Sequence, residues 1–132
     1  VILSGRKVMG GRAEAEALVS AEPVSFYGGV DPVTGCVTEP GHCCCGEKVS
    51  GKVFVFPRGK GSTVGSYVIY RMKKLGTAPA AIINTETEAI IATGCVISDI
   101  PLVDKLDKDP ITSIRTGARV RVDADRGLVE II

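Results

Sequence analysis

From residue 52 onward the sequence alternates between short apolar runs and stretches of helical length, and nothing else in the chain constrains the fold as strongly. KVFVF at 52–56 reads as a buried strand. STVGSYVIYRMKKLG at 62–76 reads as a helix with Val64, Val68, Met72 and Leu75 on one face, Lys73 and Lys74 in its last turn and Gly76 placed to end it. PAAIIN at 79–84 is a second buried strand, and Thr85 and Glu88 have the spacing of a capping box that starts a second helix over AIIATGCVI. IPLV at 100–103 closes the series as a third short strand. Strands separated by whole helices pair parallel through right-handed crossovers, so this segment predicts a parallel β-α-β-α-β core. The tail differs: ARVRV and LVEII alternate on either side of DADRG, which predicts a C-terminal hairpin.

The N-terminal twenty residues offer two elements broken at Gly10–Gly11, and the alternation in AEAEALVS favours a strand although its residues also suit a helix. Residues 21–51 carry Pro23, Gly28, Gly29, Asp31, Pro32, Gly35, Pro40, Gly41 and Gly46, a density of breakers that leaves only turns and short strands. With 132 residues, one domain spanning 1–132 is expected. An apolar content of 45% and a net charge of +1 exclude a disordered chain and argue against a sequence-blind nucleic-acid binder. No apolar run approaches the roughly 20 residues that span a bilayer. The opening VILSGRKVMGG lacks the apolar centre and small-residue cleavage site of a secretory leader, which predicts a cytoplasmic chain.

Five cysteines stand at 36, 43, 44, 45 and 95. Their number is odd, and no CxxC pair occurs. A zinc site built from Cys36, the single histidine His42 and part of the Cys43–Cys44–Cys45 run is conceivable, but three consecutive thiols cannot all face one ion. Reduced thiols in a loop are the expectation, with no metal held by this chain.

PRGKGSTVGSYVIY at 57–70 is the most suggestive stretch. It is not a P-loop, because Lys60 lies between Gly59 and Gly61 and the serine follows a glycine. It is not a dinucleotide fingerprint either, since the interval from Gly61 to Gly65 is one residue too long. It still places backbone N–H groups of Gly61, Ser62 and Thr63 at a helix start, where they can cradle an anion, with Arg58 and Lys60 adding charge. Ser62 is either the helix cap or a reactive group; with His42 in a distant loop there is no histidine to activate it, so it would need a strongly positive local field. FYGGVDP is a second candidate segment: Gly28 and Gly29 allow close approach of a ligand or partner and Asp31 can accept hydrogen bonds, or the whole is a plain Asp-Pro turn. Arg126 at the hairpin tip reads as solvated, and Arg12 is a weaker anion-binding candidate.

The stretches EALVSAEPVSFYGGVDPVTG, GKVFVFPRGKGSTVGSYVIY, GTAPAAIIN, DIPLVDKL and VRVDADRGLVEI resemble the small subunits, or swivel domains, of aconitase X-type hydro-lyases. That resemblance implies an α/β swivelling β/β/α barrel around the parallel core. It also implies a two-subunit dehydratase acting on a phosphorylated hydroxy acid, mevalonate 5-phosphate, to give trans-anhydromevalonate 5-phosphate in isoprenoid biosynthesis. Ser62 falls at the position of the family's serine base. Arg58, Gly59, Lys60, Gly61 and Thr63, with Gly28, Gly29 and Asp31, would then hold substrate. A large partner subunit would carry a [4Fe–4S] cluster, with no cofactor on this chain. Within the same chemistry the alternative substrate is another hydroxy acid such as cis-3-hydroxyproline; outside it, the alternative is a non-catalytic anion-binding domain in which Ser62 only caps. The cysteine triplet departs from the family pattern and gains no role from it.

Overall fold

The uniformly apolar runs at 53–56 and 81–84 become the centre of an eight-stranded sheet in the computed structural model, which describes residues 1–132. In chain order the strands are β1 (Ile2–Ser4), β2 (Arg6–Met9), β3 (Arg12–Val19), β4 (Val53–Phe56), β5 (Ala81–Asn84), β6 (Leu102–Asp104), β7 (Arg119–Asp123) and β8 (Leu128–Ile131). The helices are α1 (Phe26–Gly29, a turn interrupted by non-helical dihedrals at Tyr27 and Gly28), α2 (Gly65–Leu75), α3 (Ala89–Ser98) and α4 (Pro110–Ser113). The strand order is β1-β8-β7-β3-β4-β5-β6-β2. β3, β4, β5 and β6 are parallel neighbours, and β7 and β8 form the expected antiparallel hairpin, closed by a 3-10 turn at Ala124–Arg126.

The N-terminal segment divides at Gly5 rather than only at Gly10–Gly11. Its first half pairs with β8 and its second half with β6, the two ends of the strand order, so both edges of the sheet meet at one glycine. The Gly5 N–H donates to Gly127 O across that junction at 2.8 Å. Residues 13–19 are strand, paired through Ala13–Val122 and Ala15–Val120; their outward-facing Glu14 lies against Arg119 and Arg121.

Alternation along β4 sends its residues into two cores. Phe54 and Phe56 point to the helices, where they meet Phe26, Ile69, Met72, Ile91 and Cys95. Val53 and Val55 point the other way, towards Leu3, Ile83, Val103, Val120, Val122 and Val129. Each such side chain contributes about 1.5–3 kcal/mol when removed from water.

Two sequence expectations are corrected here. The buried face of α2 is Gly65, Ser66, Ile69 and Met72, whereas Val64 and Leu75 are exposed. Small residues look polar in sequence, yet they let α2 sit against α3, where the Ser66 hydroxyl donates to Ile90 O at 2.7 Å. Helix α3 is capped by Glu88 itself, whose carboxylate accepts the N–H groups of Ile90 and Ile91; Thr85 stays in an exposed turn. No helix is long and apolar enough to cross a membrane.

Candidate active site

Parallel strands deliver their following loops to one end of a sheet, and ligands in such folds gather there. The loops after β4, β5 and β6 are knitted together at that end. Thr85 N–H donates to Pro57 O at 3.0 Å and Lys105 N–H to Thr85 O at 3.1 Å. Beneath them, the fully buried Asn84 donates to Phe56 O at 3.1 Å and accepts from the Thr87 hydroxyl at 3.2 Å. Asp104, also fully buried, takes both Arg6 nitrogens at 2.9 and 2.8 Å and the Thr87 N–H at 2.8 Å. Burial pushes the Asp104 carboxyl up, but Arg6 and the Thr87 N–H outweigh it and hold it below its ordinary value.

The candidate loop leaves β4 over this floor. It is pinned by a short parallel bridge, with Val24 N–H donating to Arg58 O at 3.1 Å and Lys60 N–H to Val24 O at 3.0 Å. Gly59 is buried there, and a Cβ on it would lie 2.5 Å from Glu88 Oε1 and 2.6 Å from Ile91 Cγ1. Gly61 has φ +86° and faces Ser25 Oγ, 2.5 Å from where its Cβ would be, so conformation and space both require glycine.

Ser62 follows as an exposed residue before the helix proper. Its carbonyl accepts the Gly65 N–H at 3.0 Å and its Oγ accepts the Val64 N–H at 3.1 Å. Helix α2 is thus entered through a tight turn, with Val64 rather than Ser62 as the residue flanking the first helical position. The N–H groups of Gly61, Ser62 and Thr63 have no acceptor within the chain. Lying just before the positive end of α2, they are free to donate to an anion. The Val64 N–H on Ser62 Oγ favours the deprotonated oxygen, because hydrogen bonds to an anion lower its energy more than those to its acid.

Lys60 is not free. Its Nζ lies 3.0 Å from Glu39 Oε2, an acid from the breaker-rich loop that sequence reasoning overlooked. Arg58 is exposed and enters none of the chain's ion pairs. Thr63 lines a cleft of about 270 Å³ with Ser66, Tyr67, Ala89, Ile90 and Thr93, between the starts of α2 and α3.

The second candidate segment meets the first only in part. Gly29 is buried with Glu39 Oε1 3.3 Å from its Cβ position, and the backbone of Tyr27 lies by Gly65, so this turn buttresses the Ser62 loop. Gly28 has φ +84° and open space around it. Asp31 is occupied as a turn acceptor: its Oδ1 takes the Val33 N–H at 2.9 Å, which holds its carboxyl below the usual range. Arg12 and Arg126 pair with Asp123 at 3.5 and 3.9 Å. Arg12 starts β3, whereas Ser62 follows the end of the parallel β4, so those arginines belong to the opposite end of the sheet.

Comparison with known proteins identifies the family of the chain. The family model described as the aconitase X swivel domain matches residues 2–131. The phosphomevalonate dehydratase small subunit of Thermococcus kodakarensis is 58% identical over 130 residues, covering 98% of this chain and 96% of that protein. Its namesake from Methanococcoides burtonii is 55% identical over 127 residues, covering 96% and 93%. The crystal structure of Thermococcus kodakaraensis aconitase X in its holo-form superimposes with a TM-score of 0.95 at 57% identity, covering 100% of this chain and 98% of that one. The chain belongs to the aconitase X swivel-domain family.

Proposed function

We propose that this chain is the small subunit of a hydro-lyase that dehydrates mevalonate 5-phosphate to trans-anhydromevalonate 5-phosphate, with Ser62 accepting the proton from the carbon beside the carboxylate. The observation that carries the reading is near full-length identity to small subunits named phosphomevalonate dehydratase, with Ser62 exposed at the positive end of α2.

Serine is a poor base unless its oxygen is stabilised, and three features of this loop act in that direction. The Val64 N–H touches Oγ, the helix start contributes its dipole, and Arg58 adds an unpaired cation. The free N–H groups of Gly61, Ser62 and Thr63 suit one of the substrate's anionic groups, carboxylate or phosphate. Gly59 and Gly61 keep the backbone close enough to present those donors, and Gly28, Gly29 and Asp31 support or border the same surface.

An open site of this kind needs a second wall, and a larger partner subunit supplies it. This chain's own cysteines do not suit an iron–sulfur cube: Cys95 is fully buried on the inner face of α3, and Cys43 and Cys44 have sulfurs 4.0 Å apart, a spacing for one ion rather than separate irons. In this reading, following the family resemblance, a [4Fe–4S] cluster is carried by that partner, where it would supply Lewis acidity towards the departing hydroxyl.

The test is reconstitution. The chain is mixed with the cluster-bearing large subunit and assayed with mevalonate 5-phosphate and, separately, with cis-3-hydroxyproline. Turnover of the phosphorylated acid only in the mixture supports the reading; turnover of hydroxyproline alone redirects the substrate. Activity that needs no partner removes the two-subunit assignment.

A further inference from the structure

The loop after β3 holds a cluster that the dehydratase reading leaves unused. His42, Cys43 and Cys44 place Nδ1 and two Sγ atoms within 4.8 Å of one another, with Cys43 Sγ 4.0 Å from both His42 Nδ1 and Cys44 Sγ. Cys45 is exposed and outside the group, which resolves the objection that three consecutive thiols cannot share an ion: only two of them do, and the imidazole is the third donor.

We propose that His42 Nδ1, Cys43 Sγ and Cys44 Sγ form a binding site for one thiophilic closed-shell cation, Zn(II) or Cu(I), within the loop after β3. The donor spacing is close to what such an ion needs. Bonds of about 2.3 Å to sulfur and 2.0–2.1 Å to nitrogen put neighbouring donors roughly 3.6–3.8 Å apart, so the two 4.0 Å pairs need a small contraction and the His42–Cys44 pair, within 4.8 Å, up to about 1 Å. Imidazole with two thiolates is a soft set that selects these ions over magnesium or calcium.

The surroundings orient the histidine as ligands are usually oriented. Its Nε2 lies 3.1 Å from Pro23 O, so that nitrogen carries the proton and the Nδ1 lone pair is left on the thiol side. The ring is 6% exposed, and Ser20, fully buried, packs its hydroxyl 3.5 Å from Nε2 and 3.4 Å from Cys43 Sγ. Glu22 accepts the Cys43 N–H at 2.7 Å, fixing the backbone between the two sulfurs. Cys43 is exposed and gives an ion its way in, while Cys44 is buried against Val19 O. Without an ion Nδ1 accepts the Cys44 N–H at 3.0 Å; binding exchanges that hydrogen bond for the metal and releases one proton from each thiol.

This site stands independently of the proposed dehydration. The same loop carries Glu39, which pairs with Lys60 of the Ser62 loop.

The experiment is metal titration of the full-length reduced chain without oxygen, Zn(II) against a chromophoric chelator and Cu(I) against a copper-selective one. One ion per chain is expected, with whichever competes better identifying the metal, and Co(II) substitution should give thiolate-to-cobalt charge-transfer absorption. Cys43→Ser and His42→Gln should each weaken binding by at least about 10-fold, whereas Cys36→Ser and Cys45→Ser leave it unchanged. Cys43 is exposed, so Cys43→Ser keeps the test valid even if the buried Cys44→Ser fails to fold. Binding of both ions weaker than about micromolar, or equal loss in the Cys36→Ser and Cys43→Ser chains, overturns the proposal.

Discussion

The loops that follow β3 and β4 leave neighbouring parallel strands at the same end of the sheet, and each carries a serine, Ser20 at the start of the first and Ser62 near the end of the second. Ser20 is fully buried; its hydroxyl donates to Glu22 O at 2.7 Å and accepts the Glu22 N–H at 3.1 Å. Ser62 is exposed; its oxygen accepts one N–H and its proton has no partner in the chain. The same side chain is a closed structural joint in one loop and an exposed hydroxyl, the proposed base, in the other. What separates them is whether the surrounding backbone has satisfied its own hydrogen bonds. The N–H groups of Ser20 and Glu22 are paired, with Val55 O and Ser20 Oγ, whereas those of Gly61, Ser62 and Thr63 have no acceptor in the chain.

Replacing each serine by alanine tests that contrast most severely. Ser62→Ala in the reconstituted enzyme should lower kcat by about 10³-fold, the scale of a lost general base, with the melting temperature of the chain nearly unchanged. Wild-type turnover by Ser62→Ala would reduce Ser62 to the stabiliser of a turn. Ser20→Ala should do the reverse, and its smaller effect is considered below.

The floor under the Ser62 loop provides the next largest effect. Asp104→Asn leaves the half-exposed Arg6 facing a neutral amide and should destabilise the chain by about 1.5–3 kcal/mol, measured by urea unfolding. The pH dependence has a definite sign. The folded state holds the Asp104 carboxyl below its unfolded value, so its stabilisation is complete above the unfolded pKa and disappears as pH falls through the folded one. The wild-type chain should therefore lose stability on acidification over that window more steeply than the Asp104→Asn chain. Parallel acid titrations of the two would contradict the Arg6–Asp104 account.

How much of this the sequence discloses depends on how local the cause is. The parallel core is visible because KVFVF and PAAIIN are uniformly apolar, as strands covered on both faces must be. The Ser62 loop is visible through its glycines, although its role as a base rests on family resemblance rather than spacing. The partners that complete the site are far away in sequence. Arg6 meets Asp104 across 98 positions and Lys60 meets Glu39 across 21, and neither pairing has a periodic signal. The face of α2 was hidden for a different reason: hydrophobic periodicity counts Val64 and Leu75 but not Gly65 and Ser66, whose small size lets α3 approach.

A smaller effect is expected in the loop after β3. Ser20→Ala removes both partners of the Glu22 backbone and the hydroxyl beside His42 and Cys43, at a cost of about 1–3 kcal/mol. Turnover per folded complex should stay within about 2-fold of wild type, a range consistent with a purely structural group. A kcat loss comparable to that of Ser62→Ala, with stability intact, would erase the distinction between the two serines.

The smallest effect concerns the contact that joins the two loops. The Lys60–Glu39 pair is partly exposed, with side-chain exposures of 47% and 28%, so Glu39→Gln should change stability by less than about 1 kcal/mol. The lysine backbone stays fixed by its N–H to Val24 O, so the substitution mainly removes a negative charge beside the Ser62 loop. An anionic substrate should then bind more tightly, lowering KM by about 2-fold at low ionic strength. The gain should fade near physiological salt, where the screening length is about 8 Å. A KM that rises at every salt concentration would mean that Glu39 serves to hold the ammonium in place. The loop after β3 would then be part of the binding surface rather than a neighbour that lowers its charge.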